Sequence, residues 1–391
     1  MNNKVEEVVD ITSKLIKIPT LNPPGNSLKE GAEFIKDYLS QKGFSASIIE
    51  FDRGWPVVIS QSKPRDKNHV MLNGHYDVVP AGDEKRWKNN PFSGLILENF
   101  VYGRGATDMK GGLAVLMKVF SDLADKLEYD LIFTAVPDEE TGGFHGSMKL
   151  AEVFKPDLVL ISEPSGSNSI CLGEKGLLQV KLVSVGKSAH GSLPSLGENA
   201  IMKLIRSLTS LQKISDYNIG TPKEVVELLR AKADMNTEKD YLSISFNPGV
   251  IRGGVKVNVV PDYAEAEVDM RIPPGITVND AIALVEELAE GVKVEPFNIS
   301  EPNYTSPDNT YVKLLENVIM RRLNVKPTKY IMTGATDGRF FRYKGVPTII
   351  YGPGELNLAH SYDEYVTFQE LEKTYEVISS FLLDISNYQR S

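Results

Sequence analysis

Apolar and polar positions alternate in two different rhythms along this chain. Near its start Val5, Val8, Val9, Leu15 and Ile16 recur with the 3.6-residue spacing of a helix that buries one face. Ser27 followed by Glu30 has the spacing of a capping box, which predicts a second helix running to about Gly43. Beyond it the pattern shortens to nearly unbroken apolar runs bounded by Gly, Pro and Asp: VMLNG at 70–74, LIFTAV at 131–136, LVLIS at 158–162 and TIIYG at 348–352. Runs of this length predict strands buried on both faces, as in a mainly parallel sheet covered by helices.

Between 177 and 296 the rhythm changes. LLQVKLVS, a helical stretch at 198–212, YLSISFNPGVI, NVVPDYAEAEVDMRI and a helix at 278–290 succeed one another in the order strand, helix, strands, helix. That order predicts an inserted α+β domain with its own antiparallel sheet. The expected fold is therefore α/β, with a mainly parallel sheet domain formed by 1–176 and 297–391 and an insert at 177–296.

Composition removes several function classes. With 391 residues, 41% of them hydrophobic, the chain is long and apolar enough for two or three cored domains. A formal net charge of -9 speaks against a nucleic-acid or anionic-membrane surface. The longest apolar runs, at 113–117 and 281–285, fall far short of the ~20 residues of a membrane-spanning helix. The opening MNNKVEEVVDITSKLIKI mixes acids and lysines into its apolar residues, unlike a signal peptide, so a cytoplasmic location is expected. The single cysteine, Cys171, cannot make an internal disulfide and reads as a packing residue, which leaves histidines and carboxylates to hold any metal.

Residues able to do chemistry cluster just past the predicted strands. The first strand runs into His75 and Asp77, the second into Asp138, Glu139 and Glu140, the third into Glu163, and the fourth, after a Gly/Pro loop, into His360. In open α/β sheets ligands bind beyond the carboxyl ends of the strands, so these positions are expected to converge. On an extended strand end His75 and Asp77 point to the same side, and Asp77 is placed to orient the imidazole of a metal-binding His75. Asp108, in the Gly-rich GRGATDMKGG, has two oxygens with which to bridge two ions. Glu140 is placed to bind metal while its neighbour Glu139 takes a proton from water. Glu163 adds an oxygen ligand and His360 a second imidazole. Taken singly, each has a plainer reading: a buried His–Asp pair, a helix N-cap, solvated acids in a loop, a turn acid before Pro164. Together, two imidazoles and several acids from four strand ends describe an open two-metal site of the hydrolytic kind, suited to zinc, with cobalt and manganese as alternatives.

GHYDVVP, GRGATDMKGG, VPDEETGG, SEP, SAHGSLPSLGENA, NVVPDYAEAEVDMRIP and LAHSYDE stand in the order seen in the di-zinc M20 peptidases. That family contains acetylornithine deacetylase, succinyl-diaminopimelate desuccinylase, aminoacylase and glutamate carboxypeptidase, and nearly the whole chain resembles it. The resemblance implies that His75 and Glu163 bind one metal, Glu140 and His360 the other, and that Asp108 bridges. It makes Asp77 an orienting residue and Glu139 the general base. It implies a ferredoxin-like lid that commonly dimerises, whose His190 polarises the scissile carbonyl, sometimes in the neighbouring subunit. Asn258 and Arg271 match lid positions that contact substrate. Gly334 and Arg339 lie in a loop, GATDGR, similar to that of desuccinylases and aminoacylases; Arg339 is equally readable as an intramolecular salt-bridge residue.

The expected activity is hydrolysis of the amide of an N-acyl amino acid, of the acetylornithine deacetylase or succinyl-diaminopimelate desuccinylase type, by a homodimer. The alternatives are a dipeptidase or carboxypeptidase of the same family, and a catalytically silent metal-binding protein of the same fold. GRGATDMKGG fits neither common phosphate-binding glycine pattern.

Overall fold

The computed structural model of the chain describes residues 3–62, 69–217 and 219–388. The four apolar runs form the strands His69–His75, Asp130–Val136, Leu158–Ile161 and Thr348–Ile350. They stand side by side in the order 130–136, 69–75, 158–161, 348–350, and every pairing among them is parallel. The register sets His75 beside Val136 and Asn73 beside Ile161, which pairs in turn with Ile350. All four carboxyl ends therefore emerge along one border of the sheet. Antiparallel strands flank this core, Ala46–Glu50 and Pro56–Gln61 on one side and Ser169–Glu174 on the other.

Helix packing explains the unbroken apolar runs. The helix Gly111–Leu123 is apolar nearly all round and buried over most of its length. It packs on the strands 69–75 and 130–136 and against the helices Asn3–Ile16 and Phe368–Tyr388. Gly112 lets its first turn approach the sheet: a Cβ there would lie 1.9 Å from the carbonyl oxygen of Ser162, next to Glu163. The second helix is Leu28–Gln41, but Ser27 does not form the expected capping box. Its φ of 55° is left-handed rather than extended, and its hydroxyl caps nothing. A capping box forms instead at Thr277 and Asp280.

The chain divides into two compact units, Met1–Leu172 with Thr305–Lys329 and Thr336–Ser391, and Gly173–Tyr304 with Tyr330–Ala335. The division lies slightly outside the 177–296 expected from pattern, and Tyr330–Ala335, which includes Gly334, goes with the second unit. That unit holds a four-stranded antiparallel sheet in the order Asn247–Gly253, Tyr263–Ile272, Gly176–Val185, Lys293–Ser300. With the helices Ala200–Leu211 and Val278–Leu288 between strands, the succession is βαββαβ, the ferredoxin-like arrangement. Gly176–Val185 and Tyr263–Ile272 bury alternate residues, as a sheet covered on one face requires. Leu178, Val180, Leu182, Val268 and Met270 meet Leu204, Leu211 and Val285 of the helices, each side chain contributing roughly 1.5–3 kcal/mol by burial. YLSISFNPGVI is not one strand: its start closes the short helix Glu238–Leu242, and the strand there is Asn247–Gly253. Among the described residues no helix is long and apolar enough to cross a membrane.

Candidate active site

Beyond the strand ends of the first unit, His75, Asp108, Glu139, Glu140, Glu163 and His360 come together. His75 ends its strand fully buried, with Nε2 3.1 Å from Asp108 Oδ1 and 3.4 Å from Glu163 Oε1. His360, on a half-exposed loop with φ 59°, brings Nε2 within 3.1 and 3.2 Å of the two oxygens of Glu140 and 3.5 Å of Asp108 Oδ2. Asp108 thus presents one oxygen to each imidazole, and each imidazole has a glutamate of its own. Ligand atoms of His75, Asp108 and Glu140 lie within 4.8 Å of one another, as do those of His75, Glu139 and Glu163.

Local structure explains each placement. Asp108 is not spent as a helix cap, because the next helix begins at Gly111 with Lys110 in the cap position. The buried Lys110 Nζ donates to the carbonyls of Leu15 and Ile18, at 3.0 and 2.8 Å, and so ties the Asp108 loop to the end of the first helix. Glu139 and Glu140 start a short 3-10 turn directly after the strand 130–136. Asp77 faces the His75 ring with its carboxylate, as expected, and also with its backbone carbonyl. The closest partner of His75 Nδ1 is the backbone carbonyl of Asp77, at 3.0 Å, with the carboxylate at 3.4 Å. The carboxylate accepts the backbone N–H groups of Glu139 and Glu140, at 3.3 and 3.1 Å, and holds the turn that carries both acids.

Ionisation in this cluster is strained. Burial, reinforced by the charge of Glu163, raises the Glu139 carboxyl well above the usual range. Burial also raises Glu140, against the hydrogen bond with His360. Glu163 is pushed up to about 8 by burial and the nearby Asp108. Asp108 goes the other way: despite burial, hydrogen bonding to His75 and the charges of His75 and His360 hold it low. His75 is raised against the pull of burial by Glu163 and by its bonds to Asp108 and Asp77, and His360 is raised by its hydrogen bond with Glu140. Four carboxyl groups crowded around two imidazoles repel one another unless protons or cations compensate. Two imidazoles and several carboxylate oxygens are a donor set that suits divalent zinc, cobalt or manganese, so the residues present fit a metal centre.

The remaining expected residues have other surroundings. Arg339 is buried, donates from Nη1 to the Thr336 carbonyl and from Nη2 to that of Gly142, at 3.0 and 2.7 Å, and stacks on Phe340. These contacts brace the loop after Glu140 and use two of the five guanidinium donors. In the second unit, His190 is exposed on the two-residue strand Ala189–His190, which pairs with Val259–Val260, and its Nδ1 lies 2.7 Å from the Ser192 hydroxyl. Asn258 is exposed beside it, its carbonyl accepting the Gly191 N–H at 2.8 Å. Arg271 pairs with Asp269 on its own strand, at 3.0 Å from Nε. A Cβ at Gly334 would meet nothing within 4 Å. Cys171 is buried, in keeping with a packing role.

Three residues of the site went unread in the sequence. Asn22 is buried and donates to Asp77 Oδ2 at 3.0 Å and to the Pro137 carbonyl at 2.5 Å, joining two strand ends. Arg104 and Glu364 form a buried pair, Nη1 to Oε2 at 2.7 Å, between the Asp108 loop and the His360 segment. The Asp363–Glu364 pair shortly after His360 repeats the adjacent-acid signal that marked Glu139 and Glu140; Asn22, before two prolines, carries only a turn signal.

Comparison with known proteins agrees with this geometry. A model of peptidase family M20/M25/M40 matches residues 71–384. An uncharacterized metallohydrolase of Methanocaldococcus jannaschii is 28% identical, over 97% of this chain and 99% of its own length. Acetylornithine deacetylase of Photorhabdus laumondii is also 28% identical, over 98% of both chains. Among solved structures, an M20 family metallo-carboxypeptidase of Sulfolobus solfataricus is similar in fold, with a TM-score of 0.79 at 23% identity over 98% of this chain and 99% of its own. A strand-end cluster of imidazoles and acids, in a chain matched over most of its length, leads to one conclusion: this protein belongs to peptidase family M20/M25/M40 and is a metallohydrolase.

Proposed function

We propose that this protein hydrolyses the amide bond of an N-acyl amino acid, in the manner of acetylornithine deacetylase or succinyl-diaminopimelate desuccinylase, with two divalent cations, zinc foremost. The observation that carries this reading is the division of Asp108, one oxygen facing His75 and the other His360. His75 and Glu163 would hold one cation, Glu140 and His360 the second, and Asp108 would contribute to both. When bound, such a pair supplies Lewis acidity that lowers the pKa of water and polarises a carbonyl.

Glu139 acts as general base. It lies beside His75 and Glu163, where a carboxylate can take a proton from the attacking water and return it to the leaving amine. Asp77 and Asn22 keep Glu139 in place through the turn they hold. His190 is assigned the oxyanion: its exposed imidazole is free at Nε2 to donate to the oxygen on which charge develops. Asn258, its neighbour, and Arg271 are assigned to the substrate, the guanidinium suiting a carboxylate. Gly334 leaves room beside the chain for a ligand to approach.

A homodimer through the second unit and a cytoplasmic location complete the reading. Asn247–Gly253 is an edge strand with Ile251 exposed, and Met202 and Ile205 are exposed on the helix Ala200–Leu211. Such an edge with apolar neighbours invites a second copy. Sedimentation at micromolar concentration should give the mass of two chains.

The deciding experiment assays N-acetylornithine, N-succinyl-diaminopimelate, N-acetylmethionine and dipeptides with zinc or cobalt. Hydrolysis of an N-acyl amino acid in preference to dipeptides is expected. Turnover of dipeptides alone would move the protein to the peptidase alternative. A protein that binds metal and cleaves no amide would leave only the silent alternative.

A further inference from the structure

The two imidazoles of the cluster reach it by different routes. His75 sits on the end of a parallel strand and is fixed by the sheet ladder. His360 lies on a loop in which both it and Asp363 have left-handed backbone, φ 59° and 57°, at positions with a Cβ. Such a conformation persists only where the surroundings over-determine it. Here the determining contacts are specific. Glu364, fully buried, accepts at Oε2 from Arg104 Nη1 at 2.7 Å and from the Gly105 N–H at 3.0 Å. At Oε1 it accepts from the N–H groups of Thr107 and Asp108, at 2.9 and 3.0 Å. Arg104 closes the loop in the opposite direction, donating to the carbonyl of Ser361 at 3.2 Å and to that of His360 at 3.3 Å.

We propose that the buried Arg104–Glu364 pair is a positioning element that locks the Asp108 loop to the His360 segment and thereby sets the cation position shared by Asp108, Glu140 and His360. The inference rests on the two-cation reading of the site. Glu364 grips the backbone of Asp108 itself, while Arg104 grips the backbone of His360, so this ion pair adds a direct tie between Asp108 and His360 to the pairing of Tyr102 with Tyr365 and the bond from Thr107 Oγ1 to the Tyr365 carbonyl. His75 and Glu163 are carried by paired strands and meet this pair only through Asp108, which they share with the other cation position. Neither Arg104 nor Glu364 touches the reacting atoms. Glutamine at 364 keeps the shape but removes the anion, and its amide sets N–H against N–H where the carboxylate accepted four donors.

The test is Co2+ binding to metal-free protein, followed by calorimetry and by the visible absorption of bound Co2+, on wild type, Glu364→Gln and Arg104→Lys. Wild type should take up two ions. In Glu364→Gln the ion at His360 should bind roughly 10- to 100-fold more weakly, the range for loss of a group that orients metal ligands, and the ion at His75, which meets the pair only through Asp108, should be weakened less. Its absorption band should be altered, and kcat should fall with KM little changed. Arg104→Lys keeps the charge but loses the fork, so it should show the same selective weakening to a smaller degree. Two ions bound at wild-type strength by both variants would overturn the proposal. So would equal weakening of both ions with a matching fall in the melting temperature of the metal-free protein, which would mean a general structural role. Wild type binding no Co2+ would instead overturn the two-cation reading beneath it.

Discussion

The candidate residues of the first unit and those of the second are embedded in opposite ways. Around His75, Asp108 and Glu163 the protein has buried charges at the ends of apolar strands, where each must be compensated. His190 stands exposed on a short paired strand, Asn258 stands exposed in the turn before its partner strand, and Arg271 has found a partner two residues away in Asp269. A buried charge cluster declares that something binds there, because otherwise it only destabilises the fold. An exposed imidazole on a loop costs nothing, and so says nothing until a substrate arrives.

The strongest way to break this comparison is at Glu139. Glu139→Gln should lower turnover about 10²- to 10⁴-fold, the usual contribution of a positioned general base, while metal content by atomic absorption stays at the wild-type level. Unchanged turnover would mean that the crowding of acids beside His75 reflects metal binding alone. Next in size is His190→Ala, expected to reduce kcat by about 10²- to 10³-fold, as loss of an oxyanion donor does, again with metal content intact. A loss of metal in that variant would place His190 among the ligands. Arg271→Met should mainly raise KM for substrates that carry a free carboxylate, by roughly tenfold or more, since a hydrogen bond to a charged group is worth about 1.5–3 kcal/mol. Equal effects on kcat and KM would assign Arg271 to the fold of its strand rather than to substrate.

The smallest effect concerns a buried charge in the second unit that has no cluster around it. Lys175 is buried with Nζ donating to the carbonyls of Asp240 and Ser243, both at 2.6 Å, and burial pulls it down to about 7. Unfolded, it titrates near 10.4. Between these values the unfolded chain binds the extra proton, so stability rises with pH above 7 by about 1.4 kcal/mol per unit and is lost as pH falls back through that point. In Lys175→Met the melting temperature of the metal-free protein should change less between pH 7 and 9 than in wild type; an identical pH slope would discount Lys175.

Much of the site was legible because apolar strands are conspicuous and histidine is scarce, with five in the chain. His75, Glu140 and Glu163 could be read from the runs before them, and His360 from its place after a fourth run. Asp77 was legible as a partner of His75, but no spacing rule says that its carbonyl would also face the ring and its carboxylate also hold the turn at Glu139. Arg339 shows the limit of a local pattern. Its loop resembles a substrate loop, and only packing put two of its donors on the carbonyls of Thr336 and Gly142. Ser27 has a capping-box sequence and caps nothing, because a left-handed backbone points its hydroxyl away.

Sequence by itself determined most element types, the mainly parallel sheet with a separate antiparallel one, and the residue types able to hold a metal. These come from hydrophobic period and from side-chain chemistry, both local properties. Only the tertiary structure decided which oxygen of Asp108 faces which imidazole, that Asn22 joins two strand ends, and that Arg104 and Glu364 bind the loop of Asp108 to that of His360. Those contacts join residues from 33 positions apart, for His75 and Asp108, to 115 for Asn22 and Pro137 and 256 for Asp108 and Glu364. Hydrogen-bond geometry at such separations is set by how the sheet, the helices and the loops pack together, and no local pattern encodes it.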